Sequence, residues 1–224
     1  MTKPFDAAAS IDKLLDVAAG LFRRKGFAAT TVREIANAAG MLPGSLHYRY
    51  ASKEALLVSL MERAIGRLTE SVREAVASTR DPAERLRLAL RAHLRVLLSD
   101  DDAVYVMLYD WRAVSNDTAR EAIVRMRDTY EAFWDGLIYE AAGSGQIRPR
   151  IDLKLLRLFG FGAINWVAQW YEDHAGGRSP EQIADAFWAF MALGVFAEDR
   201  RPADEDGAFV ALGGAAPPLE PVRR

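Results

Sequence analysis

Apolar residues recur every three or four positions along most of the chain, which is the spacing of one face of an α-helix. Breaks rich in Gly, Pro, Asn and capping residues divide this pattern into about nine helical stretches. No stretch shows the strict alternation of apolar and polar residues that marks a half-buried strand. The pattern therefore predicts an all-α fold.

Two short predicted helices lie close together between residues 31 and 53. Thr31 is followed three positions later by Glu34, which is the capping-box pattern that opens the first helix. Gly40 suits a helix end with positive φ, and Pro43 suits the first position of the second helix. Two short helices joined by so tight a turn are typical of a helix-turn-helix that contacts DNA.

The second short helix has only Leu46 and Tyr50 as apolar anchors, so its other side chains are expected to face outward. These are small, hydroxyl-bearing, aromatic or basic, which suits a DNA groove. Phosphate contacts are expected from Thr31, Tyr48 and Lys53. Base-edge contacts are expected from Arg33, Ser45 and His47. The full set of expected DNA-binding residues is Thr31, Arg33, Pro43, Gly44, Ser45, His47, Tyr48 and Lys53.

The stretch Ile11–Leu57 combines an alanine-rich first helix, Leu-Phe followed by Gly-Phe, a Thr-Thr pair, Ile-Ala, Ala-Gly and finally Ser-Lys-Glu-Ala-Leu-Leu. These landmarks resemble the N-terminal domain of the TetR family of transcriptional repressors. The resemblance implies a homodimer that binds a palindromic operator. It also implies a three-helix DNA-binding domain at residues 1–53 and a helical ligand-binding and dimerisation domain at 54–198. The Gly- and Pro-rich residues 199–224 are expected to be a disordered tail.

Charge is divided unevenly along the chain. Residues 1–53 contain eight Lys and Arg against four Asp and Glu, a net charge of +4, within a total of −2. The remaining residues therefore carry −6. A basic end on an acidic body turns the N-terminal domain toward phosphate groups.

Composition excludes several classes of function. The chain has 224 residues, half of them hydrophobic, and no Cys, so a large core is possible but disulfides and thiolate metal sites are not. The apolar run at 155–171 is interrupted by Arg157, Asn165 and Gln169, which argues against a membrane span. We therefore expect a cytoplasmic protein.

Catalytic constellations are not evident in the sequence. His47, His93 and His174 have no Asp or Glu at metal-ligand spacing, and the glycines do not form a phosphate-binding loop. We expect neither a metal nor a cofactor, and no enzymatic activity. The alternative from another class is a helical enzyme or carrier without a DNA role.

The C-terminal body contains more large aromatic residues than closing a small core requires, although such residues are often simply core. Phe161, Asn165 and Gln169 also share one helical stripe, and the two amides need partners that a ligand or a second subunit could supply. The expected ligand-binding residues are Tyr105, Tyr109, Trp111, Phe133, Trp134, Phe161, Asn165, Trp166 and Gln169.

The last two predicted helices indicate a dimer interface. The first of them, which starts after Asp152, is apolar nearly all round, and the second has a continuous apolar stripe. A small protein can bury such helices on both faces only against a second subunit. The expected interface residues are Trp170, Phe187, Phe190, Met191 and Val195.

The C-terminal segment NWVAQWY, followed by a Gly-Gly turn and SPEQIADAF, resembles the branch of TetR-type repressors that respond to acyl-CoA thioesters. This resemblance implies that an acyl-CoA releases the repressor from its operator. The alternative within the same fold is a regulator that senses a lipophilic or cationic drug-like molecule through the same aromatic residues.

Overall fold

The computed structural model describes residues 7–99, 101–109, 111–172 and 177–195. The predicted tail at 199–224 and the side chain of Val195 lie outside the described residues. Within these ranges the chain forms nine α-helices and one 3-10 turn, which confirms the all-α prediction. The helices are α1 Ala7–Lys25, α2 Val32–Ala38, α3 Pro43–Arg49, α4 Lys53–Val76, α5 Pro82–Leu97, α6 Asp102–Tyr109, α7 Asp117–Gly143, α8 Leu153–Trp170 and α9 Pro180–Val195.

Local sequence explains where most helices begin. Thr31 Oγ1 accepts a hydrogen bond from the Glu34 amide, while the Glu34 carboxylate accepts one from the Thr31 amide at 2.9 Å. Ser52 caps α4 by accepting from the Ala55 amide at 3.1 Å. The Asp or Asn residues that precede α5, α7 and α8 cap those helices in the same way.

Two helix boundaries differ from the sequence prediction. We expect α1 to begin after a Ser10 cap, but the helix already begins at Ala7, because the alanines before Ser10 are strong helix formers. The predicted aromatic helix at 102–114 ends at Tyr109, and Trp111–Ala113 form a 3-10 turn instead. Because Trp111 lies in a 3-10 turn, the direction of its side chain cannot be inferred from the spacing of an α-helix.

The helices α1, α2 and α3 form the N-terminal domain around Phe22, Ile35 and Leu46, each of which is almost completely buried. The long helix α4 connects this domain to the body. Within the body α4 packs against α5, α6 and α7, and α6 packs on α1. A displacement of helices in the body can therefore be transmitted to α3, the predicted recognition helix, by α4 and by the contact of α6 with α1.

Ion pairs reinforce the contact between the N-terminal domain and the body. Arg23 on α1 donates to Asp102 at the start of α6 at 2.8 Å. Arg63 on α4 donates to Asp16 on α1 at 2.7 Å. Because these groups are partly exposed, they orient the domains more than they stabilise them.

Candidate DNA-binding surface and ligand cavity

The recognition helix α3 presents a free outer face. Gly44, Ser45, His47 and Tyr48 are all exposed, and the Tyr48 side chain is 96% accessible. On the opposite side Leu46 is buried and anchors the helix in the core. Thr31 and Arg33 are exposed at the start of α2, and Pro43 is partly exposed at the start of α3. Seven of the eight residues predicted to contact DNA are therefore at least partly exposed on these two helices or at their N-terminal ends.

Gly44 is not required by the fold. A Cβ atom at this position meets no protein atom within 4 Å, and the backbone does not adopt a positive φ. A small residue at the N-terminal end of α3 therefore leaves open space outside the protein. That space lies where a recognition helix approaches base edges.

Lys53, the eighth residue, has a different environment from the one predicted. Its ammonium group donates to the carbonyl oxygens of Phe27 at 2.6 Å, Thr30 at 2.8 Å and Ala28 at 3.2 Å. These bonds occupy all three ammonium donors, so a phosphate contact requires the release of at least one. Lys53 thus holds the loop between α1 and α2 against the start of α4, and its phosphate contact stays a prediction.

Thr31 is similarly engaged, because its hydroxyl group donates to the Glu34 carboxylate at 2.9 Å. Lys25 donates to the same carboxylate at 2.6 Å. These hydrogen bonds, that from Lys25 foremost, lower the pKa of Glu34 to about 2. The capping box is therefore ionised at any physiological pH, and the phosphate contact predicted for Thr31 also stays a prediction.

An apolar cavity of about 60 Å³ lies within the body, between α5, α7, α8 and α9. Its single charged wall residue, among those described, is Arg157, which is neutralised by ion pairs with Glu131 and with Asp135 at 2.7 Å. The cavity is lined by Leu86, Leu90, Trp134, Ile138, Ile147, Leu156, Arg157, Gly160, Phe161, Ile164, Phe187, Trp188 and Met191. Its walls can therefore accept the apolar part of a ligand.

A polar network crosses the aromatic core beside this cavity. The buried His93 imidazole bonds through Nδ1 to the Tyr130 hydroxyl at 2.9 Å and through Nε2 to Asn165 Oδ1 at 3.1 Å. Trp134 and Phe161 meet the same imidazole edge-on, with ring centroids 5.9 and 5.6 Å away. Burial lowers the pKa of His93 to about 4, so the ring is neutral at pH 7.

The predicted ligand residues fall into separate places. Trp134 and Phe161 line the apolar cavity. Tyr105 and Tyr109 instead line a second, more polar cleft of about 330 Å³ between α1, α6 and α8. Phe133 packs, partly buried, against the core. The cavity therefore unites only two of the nine residues.

The remaining residues predicted to bind a ligand are two amides, Asn165 and Gln169, and two tryptophans, Trp111 and Trp166. Asn165 is bonded to His93 within the chain, whereas Gln169 lies near the Tyr109 hydroxyl, which has no hydrogen-bond partner of normal geometry among the described residues. Trp111, on the 3-10 turn, packs against the guanidinium groups of Arg112 and Arg127. Trp166 is 65% accessible and lines neither of these two cavities, so its role in ligand binding stays a prediction. On α8 it points away from Phe161, because five positions rotate a helix by about 140° beyond one full turn.

The helices α8 and α9 each expose large apolar side chains. These are the side chains of Leu155, Leu158, Phe159, Trp166, Trp170, Phe190 and Leu193. Phe190 and Trp170 were expected here, whereas Phe187 and Met191 face the cavity instead. Large exposed apolar patches mark protein contacts. Among the described residues, no helix is long and apolar enough to cross a bilayer.

Several cavity residues were not predicted from the sequence. Leu86 and Leu90 on α5, and Leu156 and Ile164 on α8, were given no ligand role from the sequence. Their shared helical spacing indicates burial but gives no sign of a cavity, because a void depends on how neighbouring helices meet. Trp188 gives a better signal, since a large indole on a stripe of small residues seldom packs without a gap.

Comparison with known proteins agrees with this architecture. Residues 14–60 match the family model of bacterial regulatory proteins of the tetR family, and residues 79–195 match the tetracyclin repressor-like C-terminal domain. The HTH-type transcriptional repressor KstR2 of Rhodococcus jostii (strain RHA1) is 32% identical over 192 residues, covering 82% of this chain and 89% of the relative. The fatty acid metabolism regulator protein of Bacillus subtilis (strain 168) is 28% identical, covering 68% of this chain and 78% of the relative.

A solved structure shows the same fold. The crystal structure of AibR in complex with isovaleryl coenzyme A and operator DNA has a TM-score of 0.70 and 27% identity, covering 81% of this chain and 97% of that one. The exposed recognition helix and the separate helical body define a DNA-binding regulator. The chain belongs to the TetR family and is a ligand-responsive transcriptional repressor rather than an enzyme, which confirms the resemblance in its sequence.

Proposed function

We propose that this repressor binds a palindromic operator as a homodimer and is released by an acyl-CoA thioester. The observation that carries the proposal is the apolar cavity at the centre of the body, walled by Trp134 and Phe161. It suits the hydrocarbon part of a ligand, and AibR was crystallised with isovaleryl coenzyme A. The similarity to a fatty acid metabolism regulator supports the same ligand class.

The small size of the cavity supports a coupling mechanism. A cavity of about 60 Å³ holds roughly four to six water molecules at ~10–15 Å³ of such space each, which is less than a long acyl chain occupies, so such a chain fits only if the walls separate. Those walls belong partly to α5 and α7, and both helices pack against α4. Separation of these walls therefore displaces α4, and three residues join the N-terminal end of α4 to α3.

In the proposed dimer, the displacement of α4 releases the protein from DNA. Two recognition helices must be separated by about one helical turn of DNA, 34–36 Å, or a multiple of it. The apolar outer faces of α8 and α9 supply the proposed dimer contact, led by Phe190 and Trp170. With the dimer contact fixed, a small rotation of each N-terminal domain puts the two α3 helices out of register.

Fluorescence anisotropy of a labelled operator fragment, taken from DNA upstream of the chain's own gene, tests the proposal. Hexanoyl-, decanoyl- and palmitoyl-CoA are titrated against the complex, with CoA alone as the control for the head group. We expect release by at least one thioester and none by CoA at equal concentration. If a lipophilic cation releases the operator and no thioester does so below millimolar concentration, the drug-sensing alternative replaces this proposal.

A further inference from the structure

The 3-10 turn Trp111–Ala113 places an indole against two guanidinium groups. The Arg127 guanidinium carbon lies 4.7 Å from the centroid of the Trp111 ring, and that of Arg112 lies 5.3 Å away. Trp111 is partly buried, and its Nε1 is a buried donor with no acceptor among the described residues. Three groups that only donate hydrogen bonds therefore meet at one place.

Nearby carboxylates do not neutralise this cluster by direct bonding. Asp128 and Glu131 attract Arg127 electrostatically, but Glu131 is bonded to Arg157. Among the described residues neither Arg112 nor Arg127 forms an ion pair or a hydrogen bond with a carboxylate. Arg127 is half-buried, and burial and the positive charge of Arg112 both lower its pKa. Arg127 is thus a half-buried cation beside the exposed cation Arg112, with carboxylates nearby but none bonded to it among the described residues.

We infer that Arg112, Arg127 and the Trp111 edge form a binding site for an anionic group, namely a phosphate of the CoA moiety, and this inference rests on the proposed function. A guanidinium binds phosphate oxygens through paired N–H donors, and stacking on the indole fixes its plane. The positive edge of the ring adds to the local potential. Neither guanidinium was assigned a ligand role from the sequence.

The position of this site along α7 matches an amphipathic ligand. Arg127, Glu131, Trp134 and Ile138 occupy one stripe of the helix, and the last two line the apolar cavity. Seven residues separate Arg127 from Trp134, which corresponds to about 10 Å along the helix axis. An anion at Arg127 and an apolar chain beside Trp134 therefore suit one molecule with a charged head and a hydrocarbon tail.

Calorimetric titration of the full chain with decanoyl-CoA, CoA, decanoate and inorganic pyrophosphate tests the site. The variants are Arg112→Gln, Arg127→Gln and the matched control Arg125→Gln, whose exposed guanidinium pairs with Glu121 on the same helix. Circular dichroism and thermal unfolding of each variant establish that it is folded. We expect the Arg112 and Arg127 variants to bind decanoyl-CoA and pyrophosphate about tenfold more weakly, since each loses a charge-assisted contact. The control is expected to match the wild type.

The four probes separate failure of the site from failure of the proposed function. Unchanged decanoyl-CoA affinity in both variants, or an equal loss in Arg125→Gln, overturns the site but leaves the acyl-CoA proposal standing. Pyrophosphate binding that depends on Arg127, without any thioester binding, supports the site and overturns the proposed ligand. Arginine-dependent binding of decanoate as tight as that of decanoyl-CoA overturns the assignment to phosphate in favour of a carboxylate. If the wild type binds none of the probes, both proposals are wrong.

Discussion

The buried His93 makes the stability of the body depend on pH. Its pKa is about 4 in the folded chain, against an ordinary value of 6.5. Above pH 6.5 the imidazole is neutral in both the folded and the unfolded chain, so its stabilising bonds are fully present. As the pH falls below 6.5, only the unfolded chain takes up a proton, and stability is lost down to about pH 4.

The size of this loss of stability follows from the interval between the two pKa values of His93, 6.5 in the unfolded chain and about 4 in the folded chain. Each pH unit within it costs about 1.4 kcal/mol of unfolding free energy. At pH 5.0 His93 alone therefore lowers the stability of the wild type by about 2 kcal/mol, and by about 3 kcal/mol once the pH is below 4.

The substitution His93→Phe removes this titration together with two hydrogen bonds. At pH 7.5 we expect the variant to be roughly 2–4 kcal/mol less stable than the wild type, because Tyr130 and Asn165 lose their buried partner. At pH 5.0 the wild type alone has lost about 2 kcal/mol to His93, so the difference between the two proteins narrows by that amount.

Urea unfolding followed by tryptophan fluorescence, at one protein concentration, measures the difference at both pH values. The control is His47→Gln, since His47 is exposed on α3 and bonds to nothing buried. It is expected to follow the wild type at each pH. A stability difference between His93→Phe and the wild type that is equal at pH 7.5 and pH 5.0 refutes this account of His93.

Three further predictions concern the DNA-binding domain and the dimer. Phe190→Glu is expected to give monomers in sedimentation, whereas the equally exposed charge of Tyr139→Glu on α7 leaves the dimer intact; a dimeric Phe190→Glu protein places the interface elsewhere. Gly44→Ala is expected to raise stability by about 0.5–1 kcal/mol yet weaken operator binding, and unchanged affinity contradicts the close approach to DNA. Lys53→Met is expected to cost roughly 1–2 kcal/mol in thermal unfolding, because three carbonyl oxygens lose their donor; an unchanged melting temperature contradicts a structural role.

Sequence reasoning succeeded where the structure depends on local chemistry. The Thr31 and Glu34 capping box, the positive φ of Gly40 and the position of Pro43 at the start of α3 all appear as expected. These features involve residues three or four positions apart, so the necessary partners are visible in the sequence. The exposed face of α3 followed from the same local pattern.

The apolar cavity depends on contacts between distant segments, and less of it could be predicted from the sequence. Asn165 was recognised as an amide that needs a partner, but that partner is His93, which is 72 residues away in the chain. Lys53 looked like a free cation because the loop carbonyls that it holds are recognised only in the folded domain. Helical spacing identifies a buried face, but not which side chain meets it.

The most direct test of ligand-driven release uses Gly160, which lines the cavity on α8. A Cβ atom at this position meets nothing within 4 Å, so Gly160→Leu fills the cavity without a backbone clash. Gly136→Leu, at an exposed position on α7, is the matched control. In the anisotropy assay both variants are expected to bind the operator like the wild type, but decanoyl-CoA is expected to release only Gly136→Leu. Release of Gly160→Leu at the wild-type concentration of decanoyl-CoA contradicts the claim that the acyl chain acts through this cavity.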